Sequence, residues 1–260
     1  MKIEKLSKTE EKSSFIIYGI TNSIANSIRR NLFEIQTLAI DSVEFYKNDS
    51  ALYDEFIAQR LGLIPLKADL KTLSKKEDCS CNGKGCLKCA VSLKLKAKGP
   101  CIVYASELKG KGFEIIHPEM PIVLLSQDQE LEFVAEAKLG NSKEHAKFNP
   151  GLIWFNSYPK AEISKDCNNC GECIKICPRK AISNQGNKIV IDEKKCDLCG
   201  ACIETCNKLK EAIKITPSTE DFVFFVESFG QLSPEEIFIL SIKILDEHLD
   251  ELSKELKKQK

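Results

Sequence analysis

The sequence predicts an α+β fold made of several parts. Three observations carry this reading. Both ends of the chain pair a strand pattern with an amphipathic helix, a duplicated cysteine-rich unit lies between them, and a third cysteine group of different spacing occupies the first half. At 260 residues the chain has room for one large domain or two to three smaller ones.

The N-terminal end begins with the strand-like "SSFIIYGI" and continues "TNSIANSIRRNLFEIQTLAIDSVEF". Thr21, Asn22 and Ser23 offer side-chain oxygens to cap a helix. Ile24, Ile28, Leu32 and Ile35 then recur at helical spacing and define one apolar face. The C-terminal end repeats the arrangement. "DFVFFVESFG" reads as a buried strand and turn, and Ser233, Pro234 and Glu236 form a capping box with proline at the first helical position. The helix that follows carries Ile237, Leu240, Ile244, Leu245, His248, Leu249, Leu252 and Leu256. Two such helices from distant ends imply a layer that joins the chain to a partner, in addition to packing within its own domain.

The chain has 13 cysteines, and no signal-peptide pattern marks it for an oxidising compartment, so metal binding is expected before disulfides. Cys167, Cys170, Cys173 and Cys177, followed by Pro178, read C-x2-C-x2-C-x3-C. Cys196, Cys199, Cys202 and Cys206 repeat the pattern 29 residues on. Three cysteines at this spacing can wrap one iron–sulfur cube, and in two-cluster ferredoxins the fourth cysteine of each run ligates the other cluster. The expected sets are therefore Cys167, Cys170, Cys173 and Cys206 for one [4Fe–4S] cluster, and Cys196, Cys199, Cys202 and Cys177 for the other. Asn207 stands where a proline is expected after the last cysteine, which bears on the local loop and not on ligation. Two zinc sites are the alternative, but zinc usually needs only paired C-x2-C units.

Cys79, Cys81, Cys86 and Cys89 are spaced C-x-C-x4-C-x2-C, with Gly83 and Gly85 permitting a tight turn between the pairs. Four thiolates on a short loop suit a closed, structural zinc site; two disulfides or free thiols are the alternative. The lysines around it, Lys71, Lys75, Lys76, Lys84, Lys88, Lys94, Lys96 and Lys98, read as a solvated basic loop. Cys101 stands alone and reads as a buried small apolar residue.

Other function classes find little support. Basic and acidic residues both number 38, so no basic excess marks a free-standing or sequence-specific nucleic-acid binder. The longest apolar runs are too short to span a bilayer, and a cytoplasmic location is expected. Catalytic nucleotide transfer needs clustered carboxylates around magnesium, and no stretch supplies them. "DEHLDELSKE" reads as the solvated face of a helix, and His117, His145 and His248 are scattered. No catalytic residue is expected on this chain.

The segments "NSIANSIRRNLFEIQTLAIDSVEF", "NDSALYDEFIAQRLGLIPLKADL" and "DFVFFVESFGQLSPEEIFILSIKILDEHL" resemble the D family of archaeal RNA polymerase subunits, and the resemblance covers nearly the whole chain. That family is similar to the bacterial alpha-subunit N-terminal domain and to the third-largest eukaryotic subunit. The resemblance implies an alpha-like dimerisation domain, discontinuous over residues 1–45 and 218–260. It implies a second domain inserted over 46–160 with the four-cysteine loop, and a ferredoxin-like domain over 161–217. It implies pairing with small subunit L in a heterodimer, small subunits N and P nearby, and a platform for the large catalytic subunits. Ile24, Ile28, Leu32, Ile35, Ile237, Ile244 and Leu252 are the expected interface. The competing reading is an electron-transfer iron–sulfur subunit of an oxidoreductase. It lacks a nucleotide-cradling glycine motif, and the cysteine unit is embedded in another fold.

Overall fold

The computed structural model describes residues 1–258 apart from residues 71, 83, 87, 187 and 208–210; Lys71 of the basic loop and Gly83 of the expected turn lie outside the described residues. The chain forms two compact units, Met1–Arg29 with Ile153–Val226 and Arg30–Leu152 with Glu227–Lys260. The cysteine-rich residues thus fall in the same compact unit as the N-terminal hairpin. The reason is that the strands flanking them belong to the same sheet as that hairpin.

In the first unit, a four-stranded sheet runs in the order Lys2–Lys8, Lys12–Tyr18, Ile213–Ser228, Gly151–Ile163. The first two strands pair antiparallel, Lys2 opposite Tyr18, with an irregularity between Lys5 and Ser7. Alternation sends Phe222, Phe224 and Val226 inward. Phe155 meets Phe222 edge-on at 5.4 Å, and Phe15 stacks on Phe224 at 5.9 Å. Between Ile163 and Ile213 the chain makes a small lobe of two short helices, Glu172–Ile176 and Ala201–Asn207, and an antiparallel hairpin, Ile182–Gln185 with Lys188–Ile191. The lobe's buried core is Cys173, Ile182, Ile189, Cys202 and Ile213. Ile163, Ile174, Ile191, Ile203 and Ile215 pack against it partly buried, so the core is small for a folded unit.

The second unit is built on a six-stranded antiparallel sheet in the order Lys109–Gly110, Val91–Lys98, Glu130–Gly140, Thr37–Asn48, Leu66–Lys67, Glu114–Ile115. Val91–Lys98 alternates strictly, with Val91, Leu93, Leu95 and Ala97 buried and the lysines outward. Helix Asp54–Gly62 seals this core with Ile57 and Leu61 while Tyr53, Phe56 and Leu63 stay exposed. Helix Pro234–Lys258 closes the chain. Its start is fixed by the expected capping box: the Ser233 N–H donates to Glu236 at 2.8 Å, and the Glu236 N–H donates to Ser233 Oγ at 3.3 Å. Gly151 tolerates no side chain, because a Cβ there would lie 2.1 Å from the Glu227 carbonyl oxygen.

Candidate metal centres and partner surface

The 29-residue repeat is visible in the backbone of the lobe. Asn169 and Leu198 are both left-handed (φ 55° and 62°), as are Gly171 and Gly200 (φ 79° and 80°). Asn168 accepts the Cys170 N–H and Asp197 accepts the Cys199 N–H, each at 3.3 Å. Gly171 and Gly200 carbonyls each open a short helix, and a Cβ added at either would meet nothing within 4 Å. The repeat slips at the fourth cysteine. The Ala181 N–H donates to Cys177 Sγ, four residues on, whereas the Ala212 N–H donates to Cys206 Sγ, six residues on, both at 3.3 Å. Asn207, in place of proline, opens this longer connection.

Strand pairing brings each fourth cysteine to the other run. The Ser164 N–H, just before Cys167, donates to the Ala212 carbonyl beyond Cys206 at 2.8 Å. The Asp192 N–H, just before Cys196, donates to the Ala181 carbonyl beyond Cys177 at 2.7 Å. As a result, Cys167, Cys170, Cys173 and Cys206 line one pocket. Cys177, Cys196, Cys199 and Cys202 line another. The structure thus brings each fourth cysteine to the three cysteines of the other run.

The donor chemistry fits an iron–sulfur core. Burial, then the neighbouring Cys170 and Cys167 sulfurs, push the Cys173 thiol up. Burial, then Cys196 and Cys199, push Cys202 up to about 11. Burial also raises Cys196. Four crowded sulfurs resist ionising together unless a cationic core sits among them, and metal binding reverses that penalty. Cys173 and Cys202 are buried, Cys170 and Cys199 exposed, and the other four intermediate.

The loop at residues 79–89 differs. Sγ atoms of Cys79, Cys81, Cys86 and Cys89 all lie within 4.8 Å of one another. Cys79 to Cys86 and Cys81 to Cys89 are 3.5 Å, and Cys86 to Cys89 is 4.0 Å. A disulfide needs about 2.05 Å, so these are free thiols. A zinc ion held at about 2.3 Å by four sulfurs sets them about 3.8 Å apart, close to the spacing found. The loop is turned by Asn82 and Gly85, both left-handed (φ 51° and 80°). Burial opposes ionisation of Cys81, but the thiols of Cys89 and Cys79 and the Cys86 and Gly85 N–H groups outweigh it, bringing Cys81 to about 6. Burial pushes Cys89 up to about 12. Lys75 and Lys76 pair with Glu144 and Glu136 at 3.6 and 2.8 Å, so part of the basic loop is neutralised locally. Cys101 is half-buried against the sheet core and lies apart from this group. His145 accepts the Lys147 N–H at 3.1 Å, and His248 faces Glu34 at 3.1 Å, which are structural placements.

The expected interface residues fall into two sets. Ile28, Leu32, Ile35 and Ile237 are 6, 2, 2 and 0 % exposed within this chain, so they have no surface left for a partner. Their apolar periodicity serves the chain's own packing, as the turn Leu32–Glu34 lies against the C-terminal helix and Asn31 donates to the Ser241 carbonyl at 3.3 Å. Ile24 and Leu252 are exposed, and Ile244 is half-buried. The outward residues that periodicity alone did not separate are Ile239, Ile242, Leu249 and Leu256. With Leu245 and Leu252, the run 242, 245, 249, 252, 256 alternates steps of three and four, the spacing of a coiled-coil seam.

Family models match the chain in two places: the RNA polymerase Rpb3/RpoA insert domain over residues 33–157 and a 4Fe-4S dicluster domain over 160–207. Fold and cysteine arrangement thus define an RNA polymerase subunit of the Rpb3/RpoA class that carries a dicluster domain. The chain is 38% identical to DNA-directed RNA polymerase subunit Rpo3 of Methanothermobacter thermautotrophicus, over 97% of each chain. It is 35% identical to the same subunit of Archaeoglobus fulgidus, over 97% of this chain and 96% of the relative. It is also 35% identical to that of Pyrococcus horikoshii, over 99% and 98%. The chain belongs to the DNA-directed RNA polymerase subunit Rpo3 family. Among the described residues no helix is long and apolar enough to cross a membrane.

Proposed function

We propose that this chain is a non-catalytic assembly subunit of a cytoplasmic DNA-dependent RNA polymerase. It pairs with small subunit L and presents a platform to the large catalytic subunits, with small subunits N and P joining it. The observation that carries this reading is the apolar seam on helix Pro234–Lys258, where Leu249, Leu252 and Leu256 are each more than half exposed. A seam of this spacing is built to meet another helix. Residues 1–45 and 218–260 act as one discontinuous dimerisation domain, and exposed Ile24 is a further candidate contact for L. Tyr53, Phe56 and Leu63 give residues 46–160 a second outward apolar face for a larger subunit.

Cys167, Cys170, Cys173 and Cys206 hold one [4Fe–4S] cluster, and Cys177, Cys196, Cys199 and Cys202 the other, within residues 161–217. When bound, the clusters supply the folding energy that the lobe's small core lacks, and they can accept and release electrons. Cys79, Cys81, Cys86 and Cys89 hold a structural zinc. The test is anaerobic co-expression with candidate subunit L. A one-to-one complex on size exclusion, with iron, sulfide and zinc in the preparation, supports the reading; a chain that elutes alone overturns it. A monomer that passes electrons rapidly between donor and acceptor proteins favours the oxidoreductase reading.

A further inference from the structure

The cysteine lobe is joined to the rest of its compact unit by two covalent connections, the entering strand Gly151–Ile163 and the leaving strand Ile213–Ser228. Ser164 and Ala212 are hydrogen-bonded where these meet the lobe, so the two connections lie side by side. Neighbouring connections of this kind allow bending about one line. A third attachment is made by side chains alone. The loop Asp192–Lys195, which leads straight into Cys196, supplies it.

Glu193 accepts the Ala161 N–H, on the entering strand, at 2.8 Å. Burial and the negative charge of Glu193 together raise the pKa of Tyr158 on the same strand. Lys194 forms an ion pair with Glu4 of the N-terminal strand. The second oxygen of Glu4 accepts the Tyr18 hydroxyl at 3.0 Å. The Tyr18 and Tyr158 rings meet at 6.0 Å and 61°. These contacts tie the loop before Cys196 to three strands of the sheet. Among the described residues the first repeat shows no such contacts. The residues 29 positions earlier are Ser164 and Lys165, and the Ser164 hydroxyl turns to its neighbour Asp166 at 2.9 Å.

We propose that the Asp192–Lys195 loop is an iron-responsive strap that fastens the lobe and the N-terminal strand Lys2–Lys8 to one sheet only while the site of Cys177, Cys196, Cys199 and Cys202 is loaded. This rests on the reading that those cysteines hold a cluster. The physical reason is that exposed ion pairs are individually weak. Glu193 and Lys194 hold the sheet because Cys196 holds their loop in place. Once Cys196 is released, the strap costs more chain entropy than its contacts return. Lys2–Lys8 is an edge strand paired only with Lys12–Tyr18, so it is the element most exposed to the loss.

The test is hydrogen exchange on the full chain, kept anaerobic, before and after iron chelation, with iron and sulfide measured on each sample. Iron loss is expected to speed exchange in Lys2–Lys8 and Lys160–Ile163 on the order of tenfold. E193A/K194A with full iron is expected to show the same acceleration, whereas E193Q, which keeps an acceptor for the Ala161 N–H, stays near the parent. A fully loaded E193A/K194A chain that exchanges like the parent overturns the strap, as does parent chain whose exchange is unmoved by chelation. A chain that carries no iron overturns the two-cluster reading, and the strap's trigger with it.

Discussion

Leu252→Asp separates pairing from folding. Leu252 is 57% exposed on helix Pro234–Lys258, near the middle of the apolar seam. Full burial of a leucine side chain is worth about 1.5–3 kcal/mol. With slightly more than half of its surface still open, pairing gains roughly 1–1.5 kcal/mol there. A carboxylate at the same position loses that gain and adds an unpaired charge inside the contact, for a total of about 3–5 kcal/mol. At 1.4 kcal/mol per tenfold, subunit L should bind about a hundred- to several-thousandfold more weakly. The free chain should lose no more than about 1 kcal/mol, the helix-propensity difference at an exposed site. Anaerobic calorimetric titration gives the first number and thermal unfolding the second. Affinity within about threefold of the parent refutes the seam as the contact. Ile237→Asp cannot serve this purpose, because Ile237 is wholly buried within the chain and its loss would damage the fold itself.

Cys206→Ser should lower the iron content from about eight to about four atoms per chain. Adding Cys167→Ser to it should cost no further iron, whereas adding Cys196→Ser should remove the rest; the reverse pattern would refute the crossed sets. The Glu236 carboxylate is held below its ordinary value of 4.5 by hydrogen bonds from the Ser233 N–H and hydroxyl. Its folded pKa is therefore below its unfolded one, so its contribution is complete above about pH 4.5 and is lost as pH falls through the depressed folded value. Thermal unfolding from pH 7 to pH 3 should show a shallower acid limb for Glu236→Gln, and Ser233→Ala should cost about 1 kcal/mol at neutral pH.

Local chemistry was the most legible in the sequence. The 29-residue spacing carried the repeated loop geometry, in which Asn169 and Leu198, and Gly171 and Gly200, adopt the same left-handed backbone. Ser233 and Glu236 marked a helix start because both reciprocal hydrogen bonds are made within three residues. Strict alternation marked Val91–Lys98 as a strand with one buried face. Direction was less legible. The period that groups Ile24, Ile28, Leu32 and Ile35 cannot say which of them the chain covers itself, and three of the four are buried. Among Thr21, Asn22 and Ser23, only the structure singles out Thr21, whose hydroxyl accepts the Ile24 N–H at 3.4 Å. The Glu193 and Lys194 contacts were not legible at all, since Glu4 lies 190 residues from Lys194 and nothing local distinguishes either from a solvated charge.

Stepwise reconstitution of the polymerase from separately purified subunits under anaerobic conditions tests the assembly role most directly. With this chain and subunit L supplied together, the large catalytic subunits should gather into a particle that extends RNA; with this chain withheld, they should remain apart and inactive. Large subunits that assemble and polymerise nucleotides equally well without it would contradict the account.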